Sequence, residues 1–449
     1  MSKLYKLISV LFIVSLILAA CGGDDDADEK EAEPVAQTEQ ETKQPQPPAK
    51  AEKVHLVMTN WGSQLDPEVY QARLDLFMAE EPNIEVELLY IPSDYTQKVQ
   101  TMIAGGEAPC IMQLAEDVHG YSGKGMLISL DEYVEQYGVD LKARYGTMGG
   151  LVGAYSRDGH LYAMPDRGGA LILYYNKDMF DAAGVAYPTK EWTWDDFLSA
   201  AQALTIRDGD DVEVYGFAAG GWWPWWMTFI YMNGGAILDE GGNPVANSPE
   251  VVEAMKFYND LVYEYNVAPS PEDYANMGQG SPDPLFAQGK TAMNTTGFWG
   301  VGGLASIQDL NWDIAPMFMN KVPATVLFGS GLAISRECKH PEEAFKAIEF
   351  LTSAEGQMPI AEMKQDAPAN IDALRSDAFL NAGWAGGHTI NMQALADSAE
   401  MAFPLPLSPQ WNEMLTIFDD NLSEFFLGKG DAQDVMDTIQ EQLEVLFSE

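Results

Sequence analysis

The chain has 449 residues, long enough for two or three domains with their own cores. Its 68 acidic against 25 basic residues give a formal charge of −43. Such a surface repels phosphate backbones, which excludes nucleic acid as a partner.

The chain opens with MSKLYKLISVLFIVSLILAAC, where Lys3 and Lys6 precede an apolar run from Leu7 to Leu18. The pattern reads as a secretory signal, since the run is too short to span a bilayer. Its end, Leu18-Ala19-Ala20-Cys21, resembles the lipobox of bacterial lipoproteins, which implies a signal peptide over 1–20 and a lipid on Cys21. Each buried acyl CH₂ would then contribute about 0.8 kcal/mol to holding the protein at the membrane. Residues 22–53 are acidic, Gln-rich and Pro-containing and offer nothing to a core. With Cys21 they are expected to form a disordered tether over 21–53.

The folded part starts at VHLVMTNWG (54–62), a strand running into a turn. Asp66 and Pro67 open a helix whose apolar face is expected to be Val69, Ala72, Leu76 and Phe77. Ile84, Val86 and Leu88 alternate as a second strand, a helix follows Asp94, and a third strand lies around Ile111–Leu114. This β-α-β-α-β order predicts a doubly wound α/β layer, whose ligands bind beyond the carboxyl ends of the strands. Those ends carry Asn60-Trp61 and Glu116-Asp117.

Further helices are expected over 192–204, over 250–265 with Val251, Ala254, Met255, Tyr258 and Leu261 in register, and from His340-Pro341 onward with Phe345, Ile348 and Leu351 aligned. Asp431 caps a last helix. In GGWWPWWMTFIYMNGG (220–235), Pro224 suits a first helical turn. The helix, about 224–232, is apolar nearly all round. Trp225, Phe229 and Met232 are expected to point into the core, leaving Trp222, Trp223 and Trp226 at its mouth. For any single one of these indoles, core packing is the competing account.

Cys110 and Cys338 could pair in an exported protein, and their spacing does not decide it. No CxxC, HExxH, GxSxG or P-loop pattern occurs and no two histidines stand four apart, so neither a metal nor any other cofactor is expected.

The motifs DYTQKVQTMIAGGEAP, LYYNKDMFDAAGV, WTWDDFLSAAQAL, MNGGAILDE, FAQGKTAMNTTGFWG and GSGLAISRECKHPEEAFKAIEFLTSAEG follow one another across 94–356. In this order, behind a lipobox, the chain resembles the bacterial extracellular solute-binding proteins of the maltose-binding type, which feed sugar ABC importers. The resemblance covers about residues 54–449. It implies a periplasmic-binding-protein-like α/β fold with two lobes, a ligand cleft and hinge crossovers. The N-terminal lobe would take 54–165 plus 291–333, the C-terminal lobe 166–290 plus 334–449. The hinge would include Asp166–Gly169 and Ser330–Ile334.

The resemblance further implies a monomeric receptor outside the cytoplasm, lipid-anchored at the cell surface or in the periplasm, that captures a di- or oligosaccharide. Cleft closure would then present that ligand to an ABC permease. Sugar C–H faces stack on indole; by the resemblance, Trp222, Trp223 and Trp226 are expected to line the cleft and contact the sugar from the second lobe, and Trp299 in GFWG matches a stacking position. Trp61 and Ser63 follow the first strand at a commonly touched place. Asp117, with Glu116 beside it, matches a carboxylate that accepts hydroxyl hydrogen bonds, the alternative being a solvated acidic pair. Asp166 and Arg167 enter the crossover, where Arg167 could fork onto vicinal hydroxyls or simply pair with Asp166. Ser330 and Trp384 are further candidates, and Trp411 is expected in the core. Leu114 and Gly169 stand where the maltose binder has a stacking Trp and a sugar-binding Glu, so the resemblance does not extend to maltodextrin specificity. Three rivals remain: a membrane-tethered glycoside hydrolase, an interaction or adhesion module that uses exposed Trp, and the same fold with a peptide, polyamine or iron complex.

Overall fold

The structure, a computed structural model, describes residues 53–146, 150–209, 211–381, 383–384, 387–403 and 408–448. The segments expected as signal peptide and tether, with Cys21, lie outside the described residues. Among the described residues no helix is long and apolar enough to cross a membrane.

The first sheet is built as the alternation of elements requires. Strand Val54–Asn60 pairs in parallel with Ile84–Tyr90 in register from Val54↔Ile84 to Asn60↔Tyr90, and on its other edge with Ile111–Leu114. Helices Asp66–Glu80 and Tyr95–Ala104 connect them. Leu56, Met58, Ile84 and Val86 are buried while Glu85 and Glu87 face water, the period-two pattern of a sheet with one solvated face. The first helix turns differently from its apolar pattern: Val69, Tyr70, Arg73, Leu74 and Phe77 are buried and Leu76 is exposed. The cause is an ion pair. Arg73 Nη2 meets Asp166 at 2.5 Å, both side chains wholly buried, and donates also to the Leu351 carbonyl, while Nε donates to the Gly356 carbonyl. Apolar periodicity cannot anticipate a buried arginine.

The long strand Thr325–Ile334 runs antiparallel to Ile111–Leu114 and, on its other side, to Ala163–Ala170. From Ala170 the chain passes almost directly into Ile172–Asn176, the middle strand of a second, antiparallel sheet with Met293–Thr296 and Trp312–Ala315. Two extended segments thus link the sheets, and where they cross, Phe328, Gly329 and Ser330 pair with Gly169, Gly168 and Arg167. The two expected hinge stretches are therefore neighbours in one ladder.

The expected division of the chain needs two corrections. Residues 291–333 are expected in the first lobe, yet Met293–Thr296 and Trp312–Ala315 flank Ile172–Asn176. All five residues of that strand are buried, so both its edges must be paired inside the protein. Conversely, Pro341–Leu351, assigned to the second lobe, buries Ala344, Phe345, Ile348 and Leu351 in the same cluster as Leu56 and Met58. Phe345 stacks on Tyr133 at 5.2 Å. A disulfide between Cys110 and Cys338 fastens the approach to this helix across 228 residues of sequence.

The second core gathers helix Pro249–Tyr263, burying all five expected residues, with Trp194–Leu204, Trp223–Met232, Trp411–Phe425 and Ala432–Ser448. Thr193 caps the second of these with a reciprocal capping box, its hydroxyl accepting from the Asp196 amide.

Candidate functional site

Between the two sheets lies a cavity of about 550 Å³, within the range of roughly 300–1,000 Å³ usual for small-molecule sites. Trp61 and Ser63, just beyond the first strand, and Glu116, just beyond the third, line one wall. Trp222, Trp225, Trp299 and Asp283 line the other, and Arg167, Ser330 and Phe328 from the crossing strands form the floor. Gln365 and Asp366 complete it.

The aromatic wall is one connected group. The Trp222 ring stands 5.4 Å from Trp225 and 6.1 Å from Trp299, and Trp299 lies 5.0 Å from Phe328. Two glycines seat it by close approach. A Cβ on Gly297 would fall 1.9 Å from the Trp299 ring, and one on Gly220 would fall 2.3 Å from the Trp225 ring. Trp225 Nε1 donates to the Thr295 carbonyl at 2.7 Å, which fixes the angle of that indole. Trp222 remains 40% exposed, so an indole face is open to a ligand.

The floor is a buried charge network. Arg167 donates to Asp66, to the Trp61 carbonyl at 3.1 Å and to Ser330 Oγ at 3.3 Å, with Asp366 3.9 Å away. Burial alone would lower the Arg167 pKa, but Tyr70, Asp66, Asp366 and Asp166 together hold it above the usual arginine value. Asp66 also accepts from the amide and hydroxyl of Ser63 and from Gln365. Each arginine nitrogen thus already donates to a protein oxygen, so Arg167 ties the crossing strands to the Trp61–Asp66 segment more than it offers donors to solute.

Two acceptors, on Glu116 and Gln365, are left open. Burial pushes the Glu116 carboxyl up to about 7, with Asp117 adding to the rise, and no side chain among the described residues donates to it. Burial likewise pushes Asp366 up to about 6 despite Arg167. Asp283 is raised by burial, partly offset by Asn294 donating at 2.7 Å. Gln365 Oε1 is buried without a hydrogen-bond partner, an arrangement that a ligand donor would relieve. Among the described residues no group of three or more His, Cys, Asp or Glu side chains is placed to hold a metal ion.

Of the residues singled out in the sequence, Trp61, Ser63, Glu116, Arg167, Trp222, Trp299 and Ser330 meet in this cavity. Asp117 lines a smaller adjoining pocket with Trp61 and Glu116 and accepts from Thr96 at 2.9 Å. Asp166 does not reach the cavity and pairs with Arg73 and Tyr70 rather than with Arg167. Trp223 packs against Trp411 at 5.3 Å and lies beside the cavity rather than in it. Trp226 is wholly buried against Phe418 at 5.0 Å, so it belongs to the core. Trp225, expected in the core, lines the cavity instead. Trp384 sits under Lys364, 4.2 Å from the ring centroid, and beside Phe298, away from the cavity. Asp66, Asp283, Gln365 and Asp366 were not anticipated. Asp66 read only as the start of a helix, and the other three sit where no motif marks them.

A family profile described as bacterial extracellular solute-binding protein matches residues 57–358. The multiple sugar-binding protein of Streptococcus mutans is 23% identical over 399 residues, covering 84% of this chain and 85% of that one. The diacetylchitobiose binding protein of Streptomyces coelicolor is 24% identical over 422 residues, 90% and 89% of the two chains. Among solved structures, an ABC substrate-binding protein of Listeria monocytogenes in complex with cycloalternan superposes with a TM-score of 0.79 at 27% identity. That match covers 88% of this chain and 100% of the other.

Proposed function

The chain belongs to the bacterial extracellular solute-binding protein family, and on that premise we propose that it captures a di- or oligosaccharide and delivers it to an ABC importer. The observation that carries this reading is the pairing of exposed indole with carboxyl and amide acceptors, those of Glu116 and Gln365 free of side-chain donors, in one inter-lobe cavity. Sugar rings present C–H faces to Trp222, Trp299 and Trp61. Their hydroxyls donate to Glu116, Asp283, Asp366 and Gln365 Oε1. A ligand held from both walls interacts more strongly with the closed than the open state, and this difference drives closure about the crossing strands. The closed form is what a permease reads. The sugar ligands named for the relatives support the substrate class.

In this reading the protein acts by binding alone, as a monomer, and lipid on Cys21 holds it at the outer face of the membrane. A thermal-shift screen of the full chain against neutral, amino and acidic sugars tests it. Ligand at a hundredfold excess over Kd adds about 2.7 kcal/mol. Silence across the sugars with a response to peptides or polyamines overturns the substrate class.

A further inference from the structure

A second cavity of about 500 Å³ is built by residues from 219–282 together with Phe426, all on the second lobe. Trp222 and Trp225 line it and the inter-lobe cavity alike, so the two spaces adjoin across these indoles. Their chemistry differs. The inter-lobe cavity is lined by the carboxyls of Asp66, Glu116, Asp283 and Asp366, whereas no charged side chain among the described residues lines the second chamber, whose walls are Pro271, Pro282, Tyr258, Tyr274 and Phe426 together with Asn259, Gln279 and Ser281. Its tyrosine hydroxyls are already engaged with backbone. Tyr258 Oη donates to the Gly220 carbonyl at 2.7 Å and accepts from the Gly220 amide at 2.9 Å, while Tyr274 Oη donates to the Ala219 carbonyl at 2.8 Å. For side-chain partners a hydroxyl-rich ring placed here would find only Asn259, Gln279 and Ser281 in exchange for its water. An apolar group would exchange water for aromatic and proline surface, which is favourable in proportion to the area covered.

We infer that this chamber takes an apolar substituent, aryl or acyl, attached to the sugar held between the lobes. The inference rests on the sugar reading. It makes the preferred solute a glycoside or acylated oligosaccharide, with its polar part clamped by both lobes and its apolar part lodged behind Trp222.

Calorimetric titration of the full chain with maltose, cellobiose, xylobiose and arabinobiose, each free and as its phenyl glycoside, tests it. For the sugar that binds, the phenyl form is expected to bind at least tenfold tighter. Ala275 is exposed and Gln279 partly so, and both border the chamber without reaching the inter-lobe cavity. A275W and Q279W, which fill the chamber from two directions, are each expected to reduce that gain below threefold and leave the free sugar within twofold of wild type. No gain from the phenyl group, or a gain that survives in both variants, overturns the chamber and leaves the sugar reading standing. Failure of every free sugar and every glycoside to bind overturns the sugar reading and this inference with it.

Discussion

Glu116→Gln should change how stability depends on pH. In the folded state burial places the Glu116 carboxyl at about 7, against 4.5 for an ordinary glutamate. A pKa raised on folding means that the native state holds the proton more tightly than the unfolded chain does. The associated stability is full below pH 4.5 and is lost as pH rises through 7. The difference of 7 − 4.5, or 2.5 pKa units, corresponds to about 3 kcal/mol at about 1.36 kcal/mol per unit. Glu116 is only partly buried, so solvent screening makes this an upper bound. Glutamine is neutral throughout and lacks the loss. Urea denaturation of the ligand-free protein at pH 4.5 and pH 8 reads the effect directly. The two proteins should be similar in stability at the lower pH, with the variant more stable by up to about 3 kcal/mol at the higher. An equal loss in both would refute the placement of Glu116 as a desolvated, unpartnered acceptor.

Arg167→Met should destabilise by about 3–5 kcal/mol in urea titrations, because it leaves Asp66 buried without its cation. Trp299→Ala and Trp226→Ala should separate binding from folding. The first should weaken sugar binding at least tenfold, about 1.4 kcal/mol, at a smaller cost in stability than the second because Trp299 is only partly buried. The second removes a fully buried indole and should cost about 3–5 kcal/mol of stability. Reducing the Cys110–Cys338 bond, which closes a loop of 228 residues, should cost about 2–5 kcal/mol in the same denaturation assay without altering ligand stoichiometry.

The α/β architecture was legible because its signals are local. Alternation over Ile84–Tyr90, the Asp66-Pro67 start and the apolar stripe of Pro249–Tyr263 each report a face and a period. Partner choice is not local. Nothing in Met293–Thr296 announces that its neighbour is Ile172–Asn176, and a stripe containing Phe345 and Ile348 says that a helix is amphipathic without saying which sheet it covers. The aromatic helix shows the same limit more sharply. All ten residues of Trp223–Met232 are buried, so no polar face orients it. Which indole turns to the cavity is decided by Gly220 beneath Trp225 and by the Thr295 carbonyl that Trp225 bonds. The strand ends pointed to Trp61 and Glu116 through the rule that ligands gather beyond carboxyl edges. Asp283 arrives from the first turn of helix Pro282–Ala287 and Gln365 and Asp366 from a distant loop, and only the folded chain brings them to that edge.

The most direct test is a crystal structure of the full chain with the carbohydrate that stabilises it. The expected result is one sugar ring stacked on Trp222 or Trp299, with hydroxyls donating to Glu116 and to Asp283 or Asp366 from opposite walls. A sugar bound elsewhere while this cavity holds only water would contradict the account.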